Sequence, residues 1–212
     1  MTVCRVCEHN YKEFIDFGMM PIANSFKKEI DNNEEKFPML VGFCTECMIV
    51  QLLHQPDPKK MFHENYAFFS STSSYMKKHF SRLANEIIEE KKLNEKSFVV
   101  EIGCNDGILI ENFKDKLINS LGIEPSRNVA EIAKTKGINV VTEFFNQELA
   151  IKIINDFQKA DIILSANVIC HIPDINSIFL GIKKLLNHDG IFIFEEPYLL
   201  SLIHISEPTR RS

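Results

Sequence analysis

No apolar run in this chain reaches the roughly 18 residues that a membrane-crossing helix requires, so no membrane association is expected. The start, Met1-Thr2-Val3-Cys4, lacks the charged-then-apolar layout of a secretory signal, which points to the cytoplasm. An excess of positive charge is missing too. Lys and Arg number 24 against 29 Asp and Glu, a net charge of −5, whereas nucleic-acid binders usually show a basic face, so no nucleic-acid partner is expected. Internal repeats and low-complexity segments are absent. What remains is an ordinary globular composition, 45% hydrophobic and 25% charged, in 212 residues, room for one good-sized domain and a small one. Nothing in this composition sets the oligomeric state.

Cysteine is not scarce. Cys4-x-x-Cys7 and Cys44-x-x-Cys47 are two tight, widely separated pairs. In a reducing compartment disulfides are disfavoured, and this is then the layout of a four-thiolate zinc site. Each C-x-x-C makes a knuckle that puts two sulfurs on one side of the metal, and two knuckles complete a tetrahedron. A closed site leaves no open coordination position, so the zinc would be structural, holding together a module too small to support a core. Buried structural cysteines or a redox pair are the alternatives, but a redox pair does not explain why there are two.

Gln55-Pro56-Asp57-Pro58 closes this module at residues 1–58. Residues 59–96 begin with an aromatic knot, Asn65-Tyr66-Ala67-Phe68-Phe69, and a hydroxyl-rich run to Ser74. This stretch reads either as an inter-domain linker or as a substrate-facing loop. Ser74 can cap a following helix in which Met76, Phe80, Leu83 and Ile87 recur at helical spacing. From Ser97 strands and helices alternate. Strands are expected at 98–102, 120–124, 138–145, 161–168 and 190–194, with helices at 108–118, around Val129, Ile132 and Ala133, at 147–157 and at 175–186. Such alternation predicts an α/β fold with a parallel, doubly wound sheet over 97–199.

The most informative segment is Ser97 to Gly107, S-F-V-V-E-I-G-C-N-D-G, a buried strand running into a glycine turn and then a helix. Such turns let backbone N–H groups and a helix N-terminus approach a nucleotide-like cofactor. The form E-x-G-x-x-x-G, Glu101 to Gly107, together with Glu124-Pro125-Ser126, is more similar to an S-adenosylmethionine (AdoMet) methyltransferase than to an NAD enzyme, the competing reading. Gly103 and Gly107 permit backbone contact with the methionine end of AdoMet. Glu124 follows Gly103 at about the 20-residue spacing of a ribose-binding carboxylate. Phe144 and Phe145 are placed to form one side of an adenine slot. Asn105 and Asp106, in the turn, are candidates for the amino-acid end.

Across nearly its whole length the chain resembles the nucleotide-sugar C-methyltransferase family. The segments that carry this are Cys4-x-x-Cys7, Phe17 to Phe26, Cys44-x-x-Cys47 with Val50-Gln51-Leu52, Tyr66 to Ser74, E-I-G-C-N-D-G, Ala166 to Asp174 and Phe194 to Leu199. The resemblance implies a small Cys4 zinc-binding module followed by a Rossmann-like class I methyltransferase sheet. It also implies methylation of a carbon beside the ketone of a dTDP-4-keto-deoxysugar through an enolate, with structural zinc and AdoMet as cofactors. On this reading His171, just past the fourth strand, and Tyr66 are catalytic, with Tyr75 the fallback for Tyr66, and Asn167 lines the methyl-transfer pocket.

One family motif is missing. Tyr-x-Glu-His, whose histidine is the family's favoured base, does not occur, and His204 lies in an I-H-I context. Residues 200–212 resemble the translation of a transposon-type sequencing adaptor; a natural tail is the alternative. The adaptor reading implies a sheet truncated after about the fifth strand, with an unpaired apolar edge, and a chain of low solubility and no turnover. Rival readings are a methyltransferase for RNA or another small molecule, and a non-catalytic module that binds zinc and AdoMet.

Overall fold

The computed structural model describes residues 3–30 and 33–197. The adaptor-like stretch 200–212, Tyr198 and Leu199 lie outside the described residues. The N-terminal part is a three-stranded antiparallel sheet of β1 (Tyr11–Pro21), β2 (Lys36–Cys44) and β3 (Val50–Leu52), in that order. It buries little. Phe14, Phe17 and Met19 of β1 are exposed, and the buried hydrophobic side chains of this region are Cys4, Ile22, Cys44 and Leu53. Packing of that extent does not support a small sheet by itself.

A one-turn helix, α1 (Pro58–Met61), and a single 3-10 turn over Ser70–Thr72 lead to the long helix α2 (Ser74–Lys91). Its cap is Ser73, one residue before the expected Ser74. The Ser73 hydroxyl accepts the Met76 N–H at 3.3 Å. Phe80, Ala84 and Ile87 form the buried stripe of α2, with Met76 and Leu83 packed at its margin.

The second unit alternates β4 (Phe98–Ile102), α3 (Glu111–Lys114), β5 (Asn119–Ile123), α4 (Arg127–Thr135), β6 (Val140–Val141), α5 (Gln147–Asp156), β7 (Ala160–Ala166), α6 (Ile175–Leu185) and β8 (Leu186–Glu195). The order is β6-β5-β4-β7-β8 with every pairing parallel, a Rossmann-like sheet whose direction of winding reverses between β4 and β7. Among the described residues β6 and β8 are its edges.

Three elements differ from expectation. The helix predicted at 108–118 shrinks to α3, and Ile108, Leu109 and Ile110 before it are in turn conformation and all buried. The third strand contracts to Val140–Val141, since it has one neighbour only and Phe144 and Phe145 leave the sheet. On α4 the inward residues are Val129, Ala130 and Ala133, while Ile132 is 41% exposed.

Each face of the sheet carries its own core. Phe98, Val100 and Ile102 pack with Leu149, Ile153, Ile178 and Ile182 of α5 and α6. Val99 and Ile162 pack on the other face with Phe80 and Ile87 of α2 and Phe113 of α3. No helix among the described residues is long and apolar enough to cross a membrane. Phe113 is fully buried, so Phe113→Ala is expected to lower unfolding free energy by about 3–5 kcal/mol. Ile132→Ala, at an exposed site, is expected to change it by less than about 1 kcal/mol. Urea denaturation of the two variants measures both.

Candidate functional site

The two cysteine knuckles are built alike. Cys4 O accepts Glu8 N–H at 2.9 Å and Cys4 N–H donates to His9 O at 2.8 Å; Cys44 O accepts Met48 N–H at 3.0 Å and Cys44 N–H donates to Ile49 O at 3.0 Å. Glu8 and Met48 both take left-handed backbone angles that turn the chain back. Across the knuckles, Cys4 Sγ lies 3.5 Å from Cys47 Sγ and Cys7 Sγ 3.5 Å from Cys44 Sγ, and all four sulfurs lie within 4.8 Å of one another. Disulfide sulfurs sit at about 2.0 Å, and all six cysteines are free. Zinc–sulfur bonds of about 2.3 Å in a tetrahedron separate the sulfurs by about 3.8 Å. The four thiols therefore fit zinc. N–H groups of Cys47 and Glu46 stabilise the Cys44 thiolate and lower its pKa to about 6.

The knuckles also touch the second unit. Asn176 Nδ2, in the first turn of α6, donates to Arg5 O at 3.3 Å and Val6 O at 3.2 Å, between the first two cysteines.

Beyond the carboxyl ends of β4 to β7 lies a cavity of about 690 Å³. Gly103, Asn105, Glu124, Pro125, Phe144 and Phe145 line one part of it. Gly103 has φ +73°, and a Cβ there would collide with Val168, so glycine is required on both grounds. Glu124 is 5% exposed and ties the ends of β4 and β5 together. Its Oε2 accepts Asn105 N–H at 3.0 Å and its Oε1 accepts Ser126 N–H at 2.8 Å. Burial raises its pKa and these N–H groups oppose the rise. Each carboxylate oxygen keeps a further lone pair, enough to accept a pair of ribose hydroxyls. An apolar slot, a glycine turn and this carboxylate together fit AdoMet.

Tyr66, Asn167 and His171 line the same cavity, with Lys59, Phe62 and Asp174. Phe62 contacts both candidate catalytic rings. Its centroid is 5.6 Å from Tyr66 and 5.7 Å from His171. Burial, and then Glu124, raise the Tyr66 pKa and keep the phenol protonated.

Four of the expected cofactor residues do not line the cavity: Glu101, Asp106, Gly107 and Ser126. Gly107, at φ +83°, faces inward, where a Cβ would meet Ile138 and Ala133, so its lack of a side chain serves packing. Asp106 is fully buried and receives Ser71 N–H. Ser126 serves through its N–H to Glu124. Glu101 sits in the sheet's α2 face with an unpartnered Oε2. Tyr75, the fallback for Tyr66, is 76% exposed and away from the cavity. Sequence reasoning passed over Phe62, Asn128 and Asn176, none of which stands in a recognisable motif. The hydroxyl-rich loop next to Tyr66 was the available signal for Asn128, whose Nδ2 holds Tyr66 O at 2.7 Å.

Metal analysis is expected to find about one zinc per chain. Cys44→Ser should abolish zinc binding and expose the β1–β3 sheet to proteolysis while the parallel sheet stays protected. Glu101 makes a second prediction. Burial first, then Glu124 and Asp106, push its pKa from 4.5 up to about 8. The folded state thus holds the proton more tightly than the unfolded one, and stability falls as pH rises from 4.5 through about 8. Glu101→Gln should flatten that decline in denaturation midpoints taken between about pH 6 and about pH 8.5; an equal slope in both proteins would show Glu101 ionised in the fold.

Comparison with known proteins agrees with this geometry. The family described as "Putative zinc binding domain" matches residues 4–62, and that described as "Methyltransferase domain" matches residues 69–209. The C-methyltransferase NovU of Streptomyces niveus is 30% identical over 203 residues, which cover 94% of this chain and 48% of that protein. A ubiquinone biosynthesis O-methyltransferase of Glaesserella parasuis serovar 5 (strain SH0165) is 30% identical over 99 residues, 44% of this chain and 42% of that protein. The chain thus spans about half the length of the curated relatives it matches, 48% and 42%. Among solved structures, the PH0226 protein from Pyrococcus horikoshii OT3 superposes with a TM-score of 0.52 at 16% identity, covering 65% of this chain and 62% of that one, a likeness of fold. The cofactor that goes with such a domain is S-adenosylmethionine, and the zinc-binding domain holds its four cysteines clustered at zinc-binding distance. Matched over residues 69–209, more than half its length, the chain belongs to the methyltransferase domain family.

Proposed function

We propose that this chain supplies the donor site and part of the acceptor site of an AdoMet-dependent C-methyltransferase acting on a nucleotide-activated 4-keto-deoxysugar. The observation that carries this is one cavity shared by Gly103 and Glu124 on one side and Tyr66, Asn167 and His171 on the other. The similarity to NovU supports it, because that alignment runs through both the cysteine module and the methyltransferase domain, whereas the O-methyltransferase matches 44% of the chain. Free thiols at zinc-binding distance suit a reducing, cytoplasmic setting.

AdoMet supplies an electrophilic methyl group on a sulfonium. The chain's residues do the rest. Glu124 orients the donor through its ribose hydroxyls, and Phe144 and Phe145 exclude water from the adenine side. On the acceptor a carbon beside a ketone must lose a proton. The His171 imidazole accepts it. The protonated Tyr66 hydroxyl donates a hydrogen bond to the oxygen on which charge develops. Phe62 packs against both rings and helps to fix their placement. The enolate carbon would then bond to the sulfonium methyl in line as the C–S bond breaks and S-adenosylhomocysteine leaves, and the imidazolium returns its proton to water.

Two measurements test this. Calorimetry with S-adenosylhomocysteine should show binding by the chain, weakened about 10- to 100-fold by Glu124→Ala. In the full-length gene product, labelled methyl from AdoMet should appear on a carbon of a dTDP-4-keto-deoxysugar, with His171→Ala and Tyr66→Phe lowering kcat by about 100-fold or more. Methyl found on oxygen, or no transfer to any keto-sugar nucleotide, overturns the acceptor assignment.

A further inference from the structure

The segment that carries Tyr66 is bound to the cofactor turn by side chains of the turn itself. Ser70 N–H donates to Asn105 Oδ1 at 3.0 Å, and Asn105 Nδ2 donates back to Phe68 O at 3.1 Å. Ser71 N–H donates to Asp106, at 3.0 Å from Oδ2 and 3.3 Å from Oδ1. From α4, Asn128 Nδ2 donates to Tyr66 O at 2.7 Å. Three side chains thus grip successive backbone groups from Tyr66 to Ser71.

The turn is shaped for this grip. Asn105 takes φ 50°, a left-handed angle that asparagine tolerates better than most residues, and its Oδ1 also accepts Asp106 N–H at 2.9 Å. Asp106 is fully buried, and its backbone carbonyl is held in place by Lys136 Nζ at 2.7 Å. A buried carboxylate needs partners, and the side-chain oxygens of Asp106 face the loop amide of Ser71. They do not line the cavity.

We infer that Asn105, Asp106 and Asn128 are positioning residues that clamp the Tyr66–Ser71 segment onto the glycine turn, so that the turn holding the methyl donor also sets where Tyr66 meets the acceptor. This moves Asp106 from the set of cofactor ligands to the support of the acceptor side. Gly103 of the turn lines the cavity while the Asn105 and Asp106 side chains bond the loop, so donor and acceptor groups would share one rigid reference, which in-line transfer requires. The catalytic meaning of the clamp rests on the role proposed above for Tyr66; the clamp itself does not.

Residue-resolved amide hydrogen exchange on the 212-residue chain tests the clamp without any acceptor. Asp106→Ala should speed exchange at Ser71 by about 10- to 100-fold, the loss of a hydrogen bond to a charged acceptor. Asp106→Asn, which keeps an oxygen acceptor, should restore most of the protection. Asn128→Ala removes a separate contact and should loosen the segment around Tyr66 even if Asp106→Ala fails to fold. In all folded variants the Kd for S-adenosylhomocysteine should stay within about twofold of the parent chain, since uniform donor binding is untouched. In the full-length gene product kcat should fall about tenfold with KM for AdoMet unchanged. Unaltered Ser71 exchange in Asp106→Ala, or a tenfold weaker Kd for S-adenosylhomocysteine, overturns the assignment and returns Asp106 to the donor site. Absence of methyl transfer to a keto-sugar, with the exchange changes still present, would remove the acceptor reading and leave the clamp standing.

Discussion

The fold turns on one buried carboxylate. Glu124, at the end of β5, accepts the N–H of Asn105 from the turn after β4 and the N–H of Ser126 from the start of α4. Two adjacent parallel strands are thereby fastened at their carboxyl ends, where such a sheet binds ligands. If the Asn105 N–H were released, the turn would keep its bonds from Gly103 and Cys104 N–H to Ile123 O, but the residue whose side chain holds Phe68 O and Ser70 N–H would lose its anchor. The glycine turn and the loop packed on it both refer back to this carboxylate.

That arrangement crowds acids together. Glu101, Asp106 and Glu124 lie around a single turn, and all three are buried. Like charges in a water-poor space cannot all be sustained. The conflict is relieved at Glu101, where burial together with Glu124 and Asp106 favours the protonated acid and Oε2 has no hydrogen-bond partner. Glu124 keeps its role because backbone N–H groups point at both of its oxygens. Asp106 has the Ser71 N–H before it and the Lys136 ammonium on its own carbonyl. Nearby residues of one short motif therefore do different work: Glu101 is a member of the core, Gly103 a wall of the cavity, and Asp106 a strut for the loop.

The parts legible in the sequence were those set by local pattern. The runs Phe98–Ile102 and Ala160–Ala166 are apolar enough to be strands in any parallel sheet. The two C-x-x-C pairs make knuckles whose hydrogen bonds span five residues, so their geometry is carried in their spacing. Glu124 was legible from its spacing of about 20 residues after Gly103, at the end of the second strand. What stayed illegible depends on tertiary contact. Three consecutive buried residues after Gly107 look like a helical run until the sheet beneath them and α2 beside them are known. Ile132 fits a helical stripe, but the small Ala130 and Ala133 are what allow α4 close to the sheet. The direction of Asp106's side chain depends on a loop thirty-five positions away, and a contact such as His79 Nε2 with Glu195 Oε2 at 2.7 Å joins residues 116 positions apart.

The zinc module bears on the same site by a different route. Its sheet has too few buried residues to hold its own shape, so the metal fixes the backbone of the first knuckle. Asn176 reads that backbone through Arg5 O and Val6 O. One residue on, Ser177 N–H is capped by Asp174 Oδ1 at 2.9 Å, and both Asp174 and Ser177 line the cavity. Arg5 closes the path on the other side, its N–H donating to Gln51 Oε1 at 3.3 Å and its guanidinium to Leu52 O of β3. A closed four-cysteine cluster thus bears on the cavity by fixing a turn of backbone that Asn176 reads. Gly103 of the glycine turn, and Asp174 and Ser177 beside Asn176, line one cavity together with Tyr66 and His171, so its walls draw on both supports.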